Sequence, residues 1–247
     1  MDRMLYIAMT GASHALHRQT ATSNNLANAT TTGFRADLTQ FRSMPVFGPG
    51  YPSRAYALAE RPASDFTPGA LQSTGRELDL AVEDEGWIAV QARDGTEAYT
   101  KAGDLRTTVN GQLVTGTGLP VLGNNGPIAI PPAQKMDIGR DGTISVVPLG
   151  AQPNEVAALD RIKLVRPPLD QLEKGSDGLM RLKSGETAEA DANVKVISGA
   201  LESSNVNPAH ELVELINLAR TFQMQIKTMQ TADQNEEAIT RTMRLSG

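Results

Sequence analysis

The chain has 247 residues, of which 40% are hydrophobic, 21% charged and 4% aromatic; it has no cysteine and a formal net charge of -5. The missing cysteine excludes disulfides, thiolate nucleophiles and Cys-based zinc sites, and the mildly acidic balance argues against a general binder of phosphate backbones. No stretch approaches the roughly 18 apolar residues of a membrane span, and the opening Asp2 and Arg3, followed by a short apolar patch, lack the pattern of a cleaved secretory signal.

Glycine and proline divide the chain. Of 22 Gly and 14 Pro, residues 1–42 hold only Gly11 and Gly33, and residues 208–247 hold only Pro208 and Gly247. The other 32 lie between, and both residue types break helices. The expectation is two helical ends around a turn-rich middle: residues 1–34 an N-terminal helical arm, 35–75 a connector, 76–200 a β-rich domain and 201–247 a C-terminal helical arm. The fold class is α+β, with the two helices pairing as a coiled-coil-like arm and the middle forming an antiparallel, barrel- or sandwich-like domain.

In the first arm Leu5, Ala8, Met9, Ala12, Leu16, Leu26 and Ala27 fall mostly at steps of three and four. The stripe is weak in large residues. The helix is predicted to stop near Asn28, because Thr30-Thr31-Thr32 is β-branched and Gly33 accepts a left-handed dihedral. Residues 43–70 carry five prolines without clear periodicity and read as an extended connector with little structure of its own.

The middle reads as short strands. Leu78–Val82 and Trp87–Val90 read as alternating strands, and Asp94-Gly95, Asn110-Gly111 and Asp141-Gly142 are hairpin turns flanked by strand-like runs. Further runs are Ile128–Ile130, Ile162–Val165, Leu179–Leu182 and Val194–Val196.

The last arm begins at Asn207-Pro208, an N-cap followed by a proline at the first helical position. Leu212, Leu215, Ala219, Phe222, Ile226 and Met229 then step by 3, 4, 3, 4 and 3, a heptad seam that loses register after Met229. About two and a half heptads are too few for an autonomous long coiled coil. A helix of some 30 residues with this little apolar surface needs a partner. The alanine-rich N-terminal stripe supplies little, so both helices are expected to complete their burial against other molecules. The helix-interface candidates are Leu5, Met9, Leu16, Leu212, Leu215, Ala219, Phe222, Ile226 and Met229.

Reactive chemistry is poorly represented. His14 and His17 stand one helical turn apart, a spacing that suits a metal, but without an acidic ligand on that face they read as polar helix surface. Gly11–Ala15 lacks the strand and final glycine of a nucleophile elbow. Gly116-Thr117-Gly118 is followed by Leu119-Pro120 where a dinucleotide loop would open a helix. Glu83-Asp84-Glu85 lacks the spaced oxygens of a calcium loop and reads as a solvated turn; Trp87 reads as core. No acid, base and nucleophile assemble, and the chain is read as non-enzymatic, with no cofactor, metal or small-molecule substrate.

The run Ser23-Asn24-Asn25-Leu26-Ala27-Asn28-Ala29-Thr30-Thr31-Thr32-Gly33-Phe34-Arg35 closely resembles the N-terminal signature of the bacterial flagellar rod and hook proteins. Gly86–Val90, Tyr99-Thr100-Lys101-Ala102-Gly103-Asp104-Leu105, Gly111–Thr115 and Ile138–Ile144 resemble middle-domain blocks of that family, and Glu202-Ser203-Ser204-Asn205-Val206-Asn207 the block that opens its C-terminal helix. The resemblance implies an axial structural subunit of the basal-body rod. Terminal helices would form an inner tubular layer under an outer β domain, assembling helically with copies of itself and with other rod proteins. It implies passage through the flagellar type III export apparatus without a cleaved signal, and a place in the rod within the periplasmic space, with no nucleic acid and no membrane insertion. Asn25, Leu26, Asn28, Gly33 and Phe34 match the signature; the resemblance implies a turn at Gly33, burial of Leu26 and a capping role for Asn28. A distal-rod member of the family is the alternative within the class. A periplasmic carbohydrate-active enzyme using Glu83 or Asp94 is the alternative outside it.

Overall fold

The computed structural model describes residues 4–45, 55–59, 63–150 and 156–245. They divide into two compact units. One joins both chain ends with residues 37–63; the other comprises residues 28–36 and 64–206.

The first unit is a helix pair with a hairpin. Helix α1 spans Met4–Ala27 and helix α2 spans Pro208–Leu245. The start of α2 is set by Asn207, whose Oδ1 accepts the amides of Ala209 and His210 at 3.1 and 3.3 Å, with Pro208 at the position where a missing N–H costs nothing. The helices run antiparallel: Asn25 meets Glu211, Arg18 pairs with Glu214, and Gly11 lies under Gln225. On α1 the buried stripe is Ala8, Ala12, Ala15, Thr22 and Asn25, spaced by 4, 3, 7 and 3. These small side chains let the helix axes approach closely.

The face of α2 that is shielded is turned slightly from the heptad seam. Among the described residues Leu218 is its one buried large residue, with Leu215, Phe222 and Met229 half-buried in the same stripe. Ala219 and Ile226 are half-buried on the flank, and Leu212 is 51% exposed. Polar contacts account for the rotation. Gln225 fills the notch at Gly11, and Glu211 and Glu214 reach Asn25 and Arg18, so the face centres on 211, 218 and 225. Hydrophobic spacing alone centres it on 212, 219 and 226.

The connector carries structure of its own. Strands Phe41–Pro45 and Ala55–Ala59 form an antiparallel hairpin in register from Phe41↔Ala59 to Pro45↔Ala55. Phe41 stands edge-on to His14 of α1 at 5.1 Å, with the Arg18 guanidinium 5.9 Å from its ring. The sequence reads this segment as an extended connector with little structure of its own; the hairpin's register is carried by backbone bonds, which alternating large residues do not signal. Residues 46–54 and 60–62 of that segment, and Met1, Asp2 and Arg3 of the opening, lie outside the described residues.

The second unit is antiparallel β. A five-stranded sheet runs in the order Leu164–Val165, Trp87–Gln91, Glu97–Thr100, Met180–Leu182, Leu172–Lys174, and a three-stranded sheet joins Ala133–Ile138, Thr143–Pro148 and Ala157–Arg161. Short ribbons complete it, among them Leu80–Val82 with Val196–Ser198 and Leu71–Ser73 with Ala200–Glu202. The three hairpin turns fall where expected, with Gly95, Gly111 and Gly142 at φ of 84°, 78° and 83°. Of the expected strand runs, Ile128–Ile130 makes a single bridge, Ala129 to Gln112, rather than a strand.

Strand Trp87–Gln91, expected as an alternating strand, is instead covered on both faces, with Trp87, Ile88, Ala89 and Val90 all buried. Ile88 and Val90 enter the larger core with Leu80, Leu105, Leu113 and Ile144, while Trp87 and Ala89 enter a smaller one with Tyr99, Val165 and Met180. The second cluster carries the chemistry described next.

Candidate functional site

The conspicuous polar constellation of the second unit joins residues from three sequence blocks. Arg35 closes the N-terminal signature run, Lys101 lies in a middle block, and Glu202 opens the C-terminal block. Arg35 Nη2 meets Glu202 Oε1 at 2.6 Å, with side chains 2% and 3% exposed, and Lys101 Nζ stands 3.7 Å from Glu202 Oε2. Glu202 Oε1 also accepts the Gly69 amide at 2.9 Å, and Arg35 Nη1 donates to the Thr67 carbonyl at 3.0 Å. Lys101 Nζ donates to the carbonyls of Asp84 and Val82 at 2.7 and 3.3 Å. The Asp84 carbonyl is presented by a residue at φ 52°, a left-handed position inside the Glu83-Asp84-Glu85 turn. Trp87 floors the group, with Arg35 and Lys101 at 6.0 and 5.7 Å from its ring and Phe66 edge-on at 6.2 Å.

Burial and chain geometry set the electrostatics. Desolvation pulls the Lys101 ammonium down to about 8, the Glu202 carboxylate acts to raise it and the Arg35 guanidinium to lower it further. Two cations thus share one anion in a dry site. In the same cluster as Trp87, burial pushes the Tyr99 phenol up to about 12, although its hydroxyl accepts the Ala188 amide.

The signature residues are divided between the two units. Asn25, 4% exposed, exchanges two bonds with the backbone of Asp37: its Oδ1 accepts the amide at 2.8 Å and its Nδ2 donates to the carbonyl at 3.0 Å. Leu26 is half-buried. Asn28 Oδ1 accepts the Thr31 hydroxyl at 3.1 Å, and its carbonyl accepts the Thr31 amide. Gly33 sits at φ 66° and its amide donates to the Glu202 carbonyl at 2.8 Å; a Cβ there would lie 2.3 Å from the Lys101 carbonyl carbon. Only glycine fits. The Phe34 ring carries the Lys174 ammonium 3.9 Å from its centroid, and Lys174 Nζ donates to the Arg35 carbonyl at 2.8 Å. Asn205 finishes the joint: its Oδ1 accepts the Ala36 amide and its Nδ2 reaches the carbonyls of Asp65 and Thr67. Within this unit, the segment that follows α1 and the segment that precedes α2 are therefore tied to one another.

Reading by motif passes over Arg35, Lys101, Glu202 and Asn205. The available signal is that each stands inside a family-like block, with the charged ones in otherwise apolar or small-residue surroundings.

The helix-interface candidates divide by exposure. Leu5, Met9, Leu16 and Leu212 are exposed at 41%, 53%, 49% and 51%, whereas Leu215, Ala219, Phe222, Ile226 and Met229 are half-buried. Val213, Ile216 and Met224 extend the exposed apolar surface of α2.

The carboxylates considered for catalysis are occupied elsewhere. Asp94 is a turn residue whose carboxyl is held below the usual range by hydrogen bonds from the Thr96 hydroxyl and amide. Glu83 pairs with Arg140 at 3.1 Å. Among the described residues no group of three or more His, Asp or Glu is placed to hold a metal ion, and no helix is long and apolar enough to cross a membrane.

Comparison with known proteins identifies the family. Residues 5–35 match the family described as "Flagella basal body rod protein", residues 81–146 the "Flagellar hook protein FlgE/F/G D1 domain", and residues 197–242 the "Flagellar basal body rod FlgEFG protein C-terminal". The chain is 41% identical to the flagellar basal-body rod protein FlgF of Salmonella typhimurium over the full length of both. It is 42% identical to FlgF of Escherichia coli over 95% of this chain and 96% of that one, and 33% identical to the rod protein FlgG of Bacillus subtilis over 95% and 96%. The chain belongs to the flagellar basal-body rod protein family, whose members are structural and non-enzymatic. Within that family it is FlgF-like, in keeping with the opening sequence Met1–Ala12, the run Gly33-Phe34-Arg35-Ala36 and Trp87.

Proposed function

We propose that this chain is an axial subunit of the basal-body rod, stacking helically with copies of itself and with other rod proteins to form a shaft that transmits torque for motility. The observation that carries the proposal is the apolar surface left on the helix pair. Large side chains such as Leu5, Tyr6, Met9, Leu212, Val213 and Ile216 stand 41–58% exposed. Exposed large apolar side chains grouped at each end of the pair mark protein contacts. Neighbouring subunits would cover them by heterologous contacts, in which one surface meets a different surface of the next copy and the array does not close. The small-residue stripe of α1 supports the same reading: Ala8, Ala12 and Ala15 bury little, so the pair gains most of its stability on assembly.

In the same reading the chain is exported by the flagellar type III apparatus without cleavage and takes its place in the rod within the periplasmic space. Ends of marginal stability thread a narrow channel and order on docking. The knot of Arg35, Lys101 and Glu202 would hold the roots of both helices under torsional load.

The test is complementation of a flagellated host lacking its corresponding rod gene. Phe222→Asp places a charge in the half-buried stripe of α2. The variant chain is expected to be absent from purified basal bodies and to leave the cells non-motile, while the unfolding transition reported by Trp87 in the β unit stays unchanged. Normal incorporation of the variant would overturn the assignment.

A further inference from the structure

The strand edges of the β unit are unequally protected. In the five-stranded sheet, Val165 of one edge strand is continued by a bridge to Ala190, and Lys174 of the other is held by the Phe34 ring and the Arg35 carbonyl. In the three-stranded sheet, edge strand Ala133–Ile138 follows Pro131-Pro132 and carries an exposed Lys135, features that discourage pairing with another chain. Strand Leu71–Ser73 has no such guard. Toward its ribbon partner the Ala70 carbonyl accepts the Ser203 amide and the Thr74 amide donates to Gly199, so alternation turns the amides and carbonyls of Leu71 and Ser73 to the open side. All three side chains of the strand are exposed, Leu71 at 57%. Beside it lies a cavity of roughly 770 Å³ whose apolar wall includes Phe66, Leu71, Leu169 and Ile197.

A complementary edge stands on the same unit. Strand Ala157–Arg161 lies at the other border of the three-stranded sheet, its first three residues are exposed, and no proline or lysine occurs in Val156–Arg161. Val156 and Leu159 stand 61% and 37% exposed. One edge therefore joins open backbone groups to an apolar cavity, and the other joins an open edge to protruding apolar side chains. Added strands are held by main-chain hydrogen bonds and selected by pockets for their side chains. We propose that strand Ala157–Arg161 of one copy adds to strand Leu71–Ser73 of a second copy, placing Leu159 against the apolar wall of the cavity. The proposal rests on the reading of the chain as a subunit that stacks with copies of itself, and adds a contact between β units to those of the helix faces.

Charge and symmetry agree with this pairing. The cavity is bordered by the acidic Glu83-Asp84-Glu85 turn, and residues 156–159 bring no charge against it. The two edges are different surfaces of one unit, so the contact is heterologous: each copy offers one edge and receives at the other, as an open array requires. Either edge joined to itself about a two-fold axis would stop at a dimer.

The chain has no cysteine, so an introduced one reports a single position. Gln72→Cys and Ala158→Cys both change exposed residues, one on each edge. A bis-maleimide of roughly 8 Å span reaches opposite and diagonal cross-strand pairs. It should give covalent dimers when the two full-length variants are mixed at high concentration, or co-expressed and recovered in basal bodies, and none from either variant alone. Trp87, the one tryptophan, lines the same cavity. A capped peptide of residues 156–161 titrated into the unaltered full-length chain should therefore change its fluorescence saturably, and Leu159→Lys in the peptide should weaken that binding at least about tenfold. Dimers from one variant alone, no dimers from the pair in either setting, or a peptide response that is absent or indifferent to Leu159→Lys would each overturn the proposal. None of these results bears on the rod assignment, which stands or falls on incorporation of Phe222→Asp.

Discussion

Replacing Glu202 by Gln isolates the charge of the buried knot. Glutamine keeps an oxygen that can accept the Gly69 amide, which lies 2.9 Å from Glu202 Oε1, and it preserves the side-chain volume. What it removes is the one anion shared by Arg35 at 2.6 Å and Lys101 at 3.7 Å. Both cations then remain in a site 2–3% exposed, with Trp87 on one side and only the exposed Asp84 carboxylate acting on Lys101. Breaking a buried pair by removing one partner costs about 3–5 kcal/mol, most of it the penalty of the charge left behind. For a domain of roughly 150 residues each kcal/mol lowers the midpoint by about 2–4 °C, so the β unit should lose about 6–20 °C. Thermal unfolding followed by Trp87 fluorescence reads this directly, because Trp87 is both the sole tryptophan and part of the site. The double variant Arg35→Met, Glu202→Gln should lose less than the sum of the two single changes, since the residues share one interaction. A loss under about 1 kcal/mol for Glu202→Gln, the size typical of an exposed ion pair, would refute the argument that the knot is dry and charge-coupled.

Other consequences follow from the same geometry. Gly33→Ala should destabilise the β unit by more than the roughly 1–2 kcal/mol of a left-handed residue, because its Cβ would overlap the Lys101 backbone at 2.3 Å; chemical denaturation measures it. Stability should rise between about pH 8 and pH 10: Lys101 binds its proton less tightly folded than unfolded, so the unfolded chain holds more protons across that window. Above pH 10 the opposite trend enters, since Tyr99, raised to about 12, keeps its proton longer in the folded state and loses that contribution as the pH approaches 12. Denaturant midpoints measured every half pH unit should therefore pass through a maximum. Asn25→Ala removes two bonds to the Asp37 backbone and leaves buried polar groups behind, at a cost of about 2–4 kcal/mol to the helix unit; far-ultraviolet circular dichroism during heating should show the helices melting earlier.

Much of the fold was legible because its signals are local. The Asn-Pro start of α2 and the three hairpin turns each rest on backbone preferences of two adjacent residues, and tertiary structure did not override them. The breaker-poor ends likewise became the two helices. The rotation of α2 was not legible, since it depends on Gln225 fitting over Gly11 and on Glu211 and Glu214 finding partners in a helix almost 200 residues away. Spacing ranks apolar side chains and is blind to such polar matches. The hairpin of Phe41–Pro45 and Ala55–Ala59 escaped because its second strand alternates alanine with Tyr56 and Leu58, which carries little hydrophobic contrast against its prolines and glycines.

The candidate site shows the same limit more sharply. Gly33 could be singled out from the β-branched run before it. Arg35, Lys101 and Glu202 could not be joined, because no local pattern links a charge closing the signature to one in the middle and one near the end. Their pairing is a product of the β unit's topology. It explains why charged residues occupy blocks that otherwise read as turns and core.

The central claim is that neighbouring axial subunits cover the outward faces of the helix pair. Cryo-microscopy of an intact basal body, with this chain traced in the rod, measures it by the exposure of Leu5, Met9, Leu16 and Leu212 in the assembly. These side chains stand 41–53% exposed in the isolated chain and should fall to the level of a buried core, below about 10%, against helices of adjacent subunits. Finding them still facing solvent or the central channel, with the contacts made by the β units instead, would contradict it.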